Sequence, residues 1–101
     1  MNKVFSLDEI YKISKPVAEK YGVTRLYLFG SYARKEATDA SDIDLLIDKG
    51  SIHNLLEYFA FVADLEDCFG RHVDVVTTTC NDALFLERIG KEAILIYDSK
   101  R

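Results

Sequence analysis

A chain of 101 residues, 49% apolar and 30% charged, can build one hydrophobic core, so residues 1–101 are expected to form a single domain with no room for a second lobe. A formal net charge of −4, with Lys and Arg scattered, gives little attraction for a polyanion bound lengthwise and disfavours a polymerase acting on long nucleic acid. The opening MNKVFSLDEI has no long apolar core and no run approaches a membrane span, which places the chain in the cytoplasm.

Ser6-Leu7-Asp8-Glu9 is a capping-box pattern, and Leu7, Ile10, Ile13 and Val17 recur at helical spacing as far as Tyr21-Gly22, predicting a first helix. Pro16 should kink or split it, because its ring displaces the carbonyl four residues back and it donates no hydrogen bond. Residues 23–29 read as a short strand, rich in β-branched and aromatic side chains, that ends at Gly30. Gly30 permits a tight turn or a close backbone approach. Ser31 would then start a helix over 32–36, presenting free N–H groups and a hydroxyl to an anion such as a triphosphate.

KEATDAS, residues 35–41, is a polar loop. Residues 43–47 form the next strand, with Ile43, Leu45 and Ile47 toward the core and Asp42 and Asp44 on the other face, ~7 Å apart along the strand. Asp48 shares their parity but is assigned to an exposed strand end, since Asp48-Lys49-Gly50 reads as a turn. Ser51 is the expected N-cap of a long helix running to Phe69 and closed by Gly70. Its apolar stripe is Ile52, Leu55, Leu56, Phe59, Val62 and Leu65, and Tyr58 and Phe61 widen it into either ordinary core or a partner surface.

Residues 71–76 are a β-branched strand with one carboxylate, Asp74, in its interior, where a buried strand does not favour Asp. Asn81 can cap a last helix over 82–89, and residues 93–97 close as a strand. Cys68 and Cys80 have no metal-like spacing with His53 or His72, so they read as reduced cysteines in core or loop, and a structural zinc is not expected. The element order gives an α/β (α+β) layer fold: a small mixed β-sheet covered by helices. A Rossmann reading fails, for there is no Gly-x-Gly-x-x-Gly after a strand and no P-loop Lys follows Gly30.

Two carboxylates on one strand face repel unless a cation lies between them, and hard divalent ions such as Mg²⁺ choose carboxylate oxygen. Asp42 and Asp44 therefore read as metal ligands. Phe29-Gly30-Ser31-Tyr32-Ala33-Arg34, followed after ten residues from Ser31 by Asp42-Ile43-Asp44, resembles the signature of the DNA polymerase beta-like nucleotidyltransferase superfamily. Nearly the whole chain resembles its smallest members, the minimal nucleotidyltransferase (MNT, MntA-type) antitoxins encoded beside HEPN toxins. The resemblance implies the polymerase beta-like fold, two Mg²⁺ ions, ATP as substrate and transfer of AMP to a hydroxyl. It puts the third carboxylate at Asp74, so that Asp42, Asp44 and Asp74 are both the catalytic residues and the metal ligands. Gly30 and Ser31 would grip the distal phosphates. Arg34, one turn beyond Ser31, is either a further phosphate ligand or a solvated helix residue, and Lys35 stands where the family often has Gly. Arg71 and His72 adjoin Asp74, either to contact the nucleotide or to flank the strand.

In the resembling antitoxins the acceptor is a tyrosine of the cognate HEPN ribonuclease, whose AMPylation silences it. Two other readings compete. A non-catalytic antitoxin would neutralise its partner by occlusion alone, yet unused clustered carboxylates would only cost stability. Transfer to a small-molecule hydroxyl needs an acceptor-binding wall that so short a chain has little left to build.

Overall fold

The computed structural model describes residues 3–79 and 81–100. Helix α1 (Leu7–Tyr21) starts with the reciprocal cap that its sequence announces: Ser6 Oγ accepts the Glu9 N–H at 3.1 Å while Glu9 Oε1 accepts the Ser6 N–H at 2.9 Å. It ends at Gly22 in the left-handed region, φ 72°. Pro16 does not split it. Ile10, Ser14, Val17 and Ala18 are buried on both sides of the proline, and Ser14 Oγ donates to the Ile10 carbonyl at 2.6 Å, so packing holds the two halves as one helix.

The chain continues through β1 (Arg25–Phe29), the single-turn α2 (Gly30–Ala33), β2 (Ile43–Asp48), α3 (Leu55–Phe69), β3 (Val73–Thr77), α4 (Ala83–Glu92) and β4 (Ile94–Asp98). The sheet order is β3-β2-β1-β4, with β1 antiparallel to both neighbours and β2 parallel to β3, which makes it a small mixed sheet. A parallel neighbour requires a crossover, and α3 supplies it. Leu26 and Leu28 of β1 and Ile43, Leu45 and Ile47 of β2 are fully buried together with Ile10 and Ala18 of α1 and Phe61 and Leu65 of α3. Leu46 and Ile89 are also buried but stand outside that cluster, as expected for residues on the other side of the sheet.

Helix α3 departs from expectation in start and phase. Asn54, not Ser51, is its cap, with Oδ1 accepting the Glu57 N–H at 2.9 Å. Tyr58, Phe61, Val62, Leu65 and Phe69 face the core, whereas Leu55, Leu56 and Phe59 are 71%, 82% and 61% exposed. The expected stripe was phased from Ile52, which is buried but lies before the helix, so the count ran through a break in periodicity.

Smaller differences have local causes. Asp82, not Asn81, caps α4, accepting the Phe85 N–H at 3.0 Å, and the helix runs on to Glu92. Asp48 is not an exposed strand end: it pairs across the ladder with Arg25, whose Nη1 donates to it at 3.1 Å, and it also accepts Thr78 Oγ1 at 2.6 Å. Cys68 lies exposed on α3, neither in the core nor in a loop, and Cys80 lies outside the described residues. Among the described residues no helix is long and apolar enough to cross a membrane.

Candidate active site

Strand pairing assembles the carboxylates. Because β2 and β3 are parallel with Asp44 opposite Asp74, period-two alternation puts both side chains on the sheet face away from the main core. Asp74 is tolerated inside its strand because β3 is an edge strand and this residue is exposed. Asp42, just before β2, joins them: one ligand atom each from Asp42, His72 and Asp74 lie within 4.8 Å of one another, all three residues exposed. Asp44 is not in that ligand-atom group; it adjoins it through Asp74, its partner across the ladder, and His72 takes the third place.

Asp44 is the half-buried member. Loss of hydration, then the hydrogen bond that the protonated Asp44 donates to Asp74, then the charges of Asp74 and Asp42 push its carboxyl up from 3.8 to about 6, with Arg34 opposing. The donor set is oxygen-rich and its charge is excessive for a bare protein, which fits a hard divalent cation such as Mg²⁺.

His72 carries that electrostatic demand one residue outward. Its Nε2 lies 2.7 Å from Asp74 Oδ1 and its Nδ1 2.9 Å from Glu66 Oε2, so both ring nitrogens face carboxylates. The hydrogen bond to Asp74, foremost, and its charge raise the imidazole above its ordinary value. Glu66 also accepts the Val73 N–H at 3.2 Å, tying the end of α3 to the start of β3.

Gly30 meets this cluster from β1, whose last residue, Phe29, is opposite Asp44. Its φ is 73°, and a Cβ there would fall 2.0 Å from Asp44 Oδ2, so two separate constraints require glycine. Ser31 follows inside α2. That helix is shorter than the 32–36 expected and ends at Ala33, because Lys35 takes a left-handed φ of 62°, the place where a glycine would be at ease.

Arg34 is paired while its side chain stays 47% exposed: Nε donates to Glu36 Oε1 at 2.8 Å and Nη1 to Glu92 Oε2 at 3.0 Å. Glu92 Oε2 also accepts the Gly30 N–H at 2.6 Å. Sequence reading missed Glu92, since nothing in a Glu near the end of a surface helix announces a partner 62 residues earlier. Arg71 has a structural post. Its Nη1 donates to the Tyr32 hydroxyl at 2.9 Å, its Nη2 to the Lys3 carbonyl, and its guanidinium lies 4.7 Å from the Phe5 ring centroid.

Residues 11–101 match the family described as polymerase beta, nucleotidyltransferase. Protein adenylyltransferase MntA of Thermococcus cleftensis is 31% identical over 97 residues, covering 92% of this chain and 98% of that protein. A candidate protein adenylyltransferase of Methanocaldococcus jannaschii is 38% identical over 89 residues, covering 88% of this chain and 96% of the relative. Among solved structures, a candidate minimal nucleotidyltransferase superposes with a TM-score of 0.74 at 30% identity, covering 89% of this chain and 95% of the other. The complex of a tri-AMPylated Shewanella oneidensis HEPN toxin with its MNT antitoxin shares the fold, with a TM-score of 0.72 at 13% identity over 94% of this chain and 75% of that one. Family match, relatives and fold agree: this chain belongs to the polymerase beta-type nucleotidyltransferase family.

Proposed function

We propose that the chain is a Mg²⁺-dependent protein adenylyltransferase that moves AMP from ATP to a tyrosine hydroxyl of a cognate HEPN ribonuclease and so acts as its antitoxin in the cytoplasm, with residues 1–101 as one catalytic domain. The observation that carries this reading is the meeting of Gly30 with Asp44, where a Cβ would fall 2.0 Å from the carboxylate, while Asp44 stands in register with Asp74. A turn suited to phosphate and a pair of carboxylates therefore lie side by side, which supports the reading.

Asp42, Asp44 and Asp74 would hold one Mg²⁺, and Asp42 and Asp44 a second. Bound there, the ions would supply the charge that lowers the pKa of the acceptor hydroxyl and stabilises the departing pyrophosphate. Gly30 lets the backbone approach the nucleotide closely, and Ser31 and Arg34 offer a hydroxyl and a guanidinium to the distal phosphates. His72, held by Glu66, keeps Asp74 turned toward its two partners. In the balanced reaction the acceptor oxygen bonds to the α-phosphorus, the bond from that phosphorus to the β-phosphate bridge breaks, and pyrophosphate leaves as the hydroxyl loses its proton.

The acceptor belongs on a protein because Asp42, His72 and Asp74 are exposed and so open to a partner's surface. A protein loop bearing the tyrosine would bring acceptor and wall together and exclude water that competes for the α-phosphate. The named relative and the fold neighbour, an adenylyltransferase and an antitoxin complexed with its AMPylated toxin, support the reading. To test it, the chain is incubated with ATP, Mg²⁺ and the product of the adjacent gene, and the partner's intact mass is followed. Addition of AMP by wild type and not by Asp44→Asn is the expected result. Equal neutralisation by both proteins without a mass gain would favour occlusion instead.

A further inference from the structure

Glu92 is the last residue of α4, and one carboxylate there joins two parts of the Gly-Ser turn. Its Oε2 accepts the Gly30 N–H at 2.6 Å, and Arg34 Nη1 donates to Oε2 at 3.0 Å and to Oε1 at 3.3 Å. Glu36 takes Arg34 Nε at 2.8 Å from the other side. A guanidinium is a rigid fork of five donors on a long, rotamer-rich stem, so two carboxylates on Nε and Nη1 fix its plane as well as its position. Arg34 Nη2 and Ser31 Oγ have no hydrogen-bond partner among the described residues. Donors on both sides of the turn are thus free for a ligand while the turn itself is anchored.

We propose that Glu92 is a positioning residue for the distal phosphates of the nucleotide, an assignment that rests on the transfer reading above. It clamps the first N–H of the turn and pre-orders Arg34, so that Nη2 is presented to the phosphates without the ordering that a free side chain would undergo on binding. Glu92 does not touch the nucleotide; it acts through Arg34 and Gly30. The part of its effect that runs through Arg34, which Glu92→Gln removes while keeping an acceptor for Gly30, must therefore scale with the phosphates that Arg34 reaches and vanish when those phosphates or Arg34 are removed.

Calorimetry with Mg-ATP and with AMP, which lacks the distal phosphates, separates this role from a general one. Wild type, Glu92→Gln, Arg34→Ala and the double variant are compared. Gln keeps an oxygen for the Gly30 N–H but gives up the charge that holds Arg34. Glu92→Gln is expected to bind Mg-ATP about tenfold more weakly, the scale of one charge-assisted anchor, with AMP affinity unchanged and no added loss in the Arg34→Ala background. If Glu92→Gln melts early, Glu92→Asp, which keeps the charge but shortens the reach, is expected to show the same ATP-selective loss. Unchanged or tighter Mg-ATP binding would overturn the proposal, the latter by making Glu92 a competitor for the phosphate seat. Equal weakening of ATP and AMP would also overturn it, as would losses that simply add to those of Arg34→Ala. Wild type that binds AMP and Mg-ATP alike would refute Glu92's role alone; wild type that binds neither would refute the transfer reading as well.

Discussion

Replacing Asp44 by Asn should stabilise the metal-free protein, and the effect should depend on pH in a defined direction. The Asp44 carboxyl is raised from 3.8 to about 6 by burial and by Asp74 and Asp42. The folded state therefore holds a proton that the unfolded state releases between about pH 4 and pH 6, so stability falls as pH rises through that window. At about 1.4 kcal/mol per pKa unit the ceiling is about 3 kcal/mol. Solvent around this partly exposed group screens that to roughly 1–2 kcal/mol. Asn carries no charge, and its NH₂ can donate to Asp74 as the protonated acid does, so Asp44→Asn recovers that amount above pH 6 and nothing near pH 4. Thermal melts in EDTA are the assay, with a rise of roughly 5–10 °C expected at pH 7.5. Adding Mg²⁺ should close the gap by raising the melting temperature of wild type alone. A variant no more stable than wild type at pH 7.5, or equally more stable at pH 4 and pH 7.5, would refute the reasoning.

Gly30→Ala combines a left-handed φ of 73° with a Cβ 2.0 Å from Asp44 Oδ2, so denaturant titration should show a loss of roughly 2–4 kcal/mol unless Asp44 is pushed off its place, in which case transfer is lost instead. Asp74→Asn should abolish transfer while leaving circular dichroism and the melt intact; turnover at the wild-type rate would remove Asp74 from the ligand set. Arg71→Ala should lower stability by about 1–2 kcal/mol through loss of the Tyr32 hydroxyl and the Phe5 ring, yet leave Mg-ATP affinity unchanged in calorimetry.

Local rules reached as far as the strands and caps. The capping box at Ser6 and Glu9, the glycine stop at Gly22 and the alternation of Ile43, Leu45 and Ile47 are decided within a few residues, and each is present as read. The phase of α3 was not legible because Leu55, Leu56 and Phe59 are as apolar as Tyr58, Phe61 and Leu65, so composition alone left two faces open and tertiary packing chose between them. The split that Pro16 allowed does not occur for a related reason: the missing hydrogen bond is a local cost, and burial of the residues on either side is not local. Within the candidate site, spacing put Asp42, Asp44 and Gly30 near one another and Asp74 stood out as a carboxylate inside a strand, while the role of third ligand came from the family resemblance. His72 stood beside Asp74 in the sequence, but its bond to Glu66 depends on how α3 turns into β3, and the contact of Glu92 with Gly30 depends on where α4 comes to lie, which no short window contains.

The sheet divides its labour by face, and this explains why so small a domain can keep a repulsive cluster. On one side α1 and α3 seal Leu26, Leu28, Ile43, Leu45 and Ile47 from water, and that apolar burial provides the driving force for folding. On the other, β2 and β3 hold Asp44 and Asp74 in register by backbone hydrogen bonds, so the carboxylates cannot separate to relieve their repulsion without breaking the ladder that the core enforces. The repulsion is therefore fixed in place by the fold; Arg34 and His72 offset part of it, and the rest is relieved by a proton or a divalent cation. A cluster so held is arranged for its ligand before the ligand arrives.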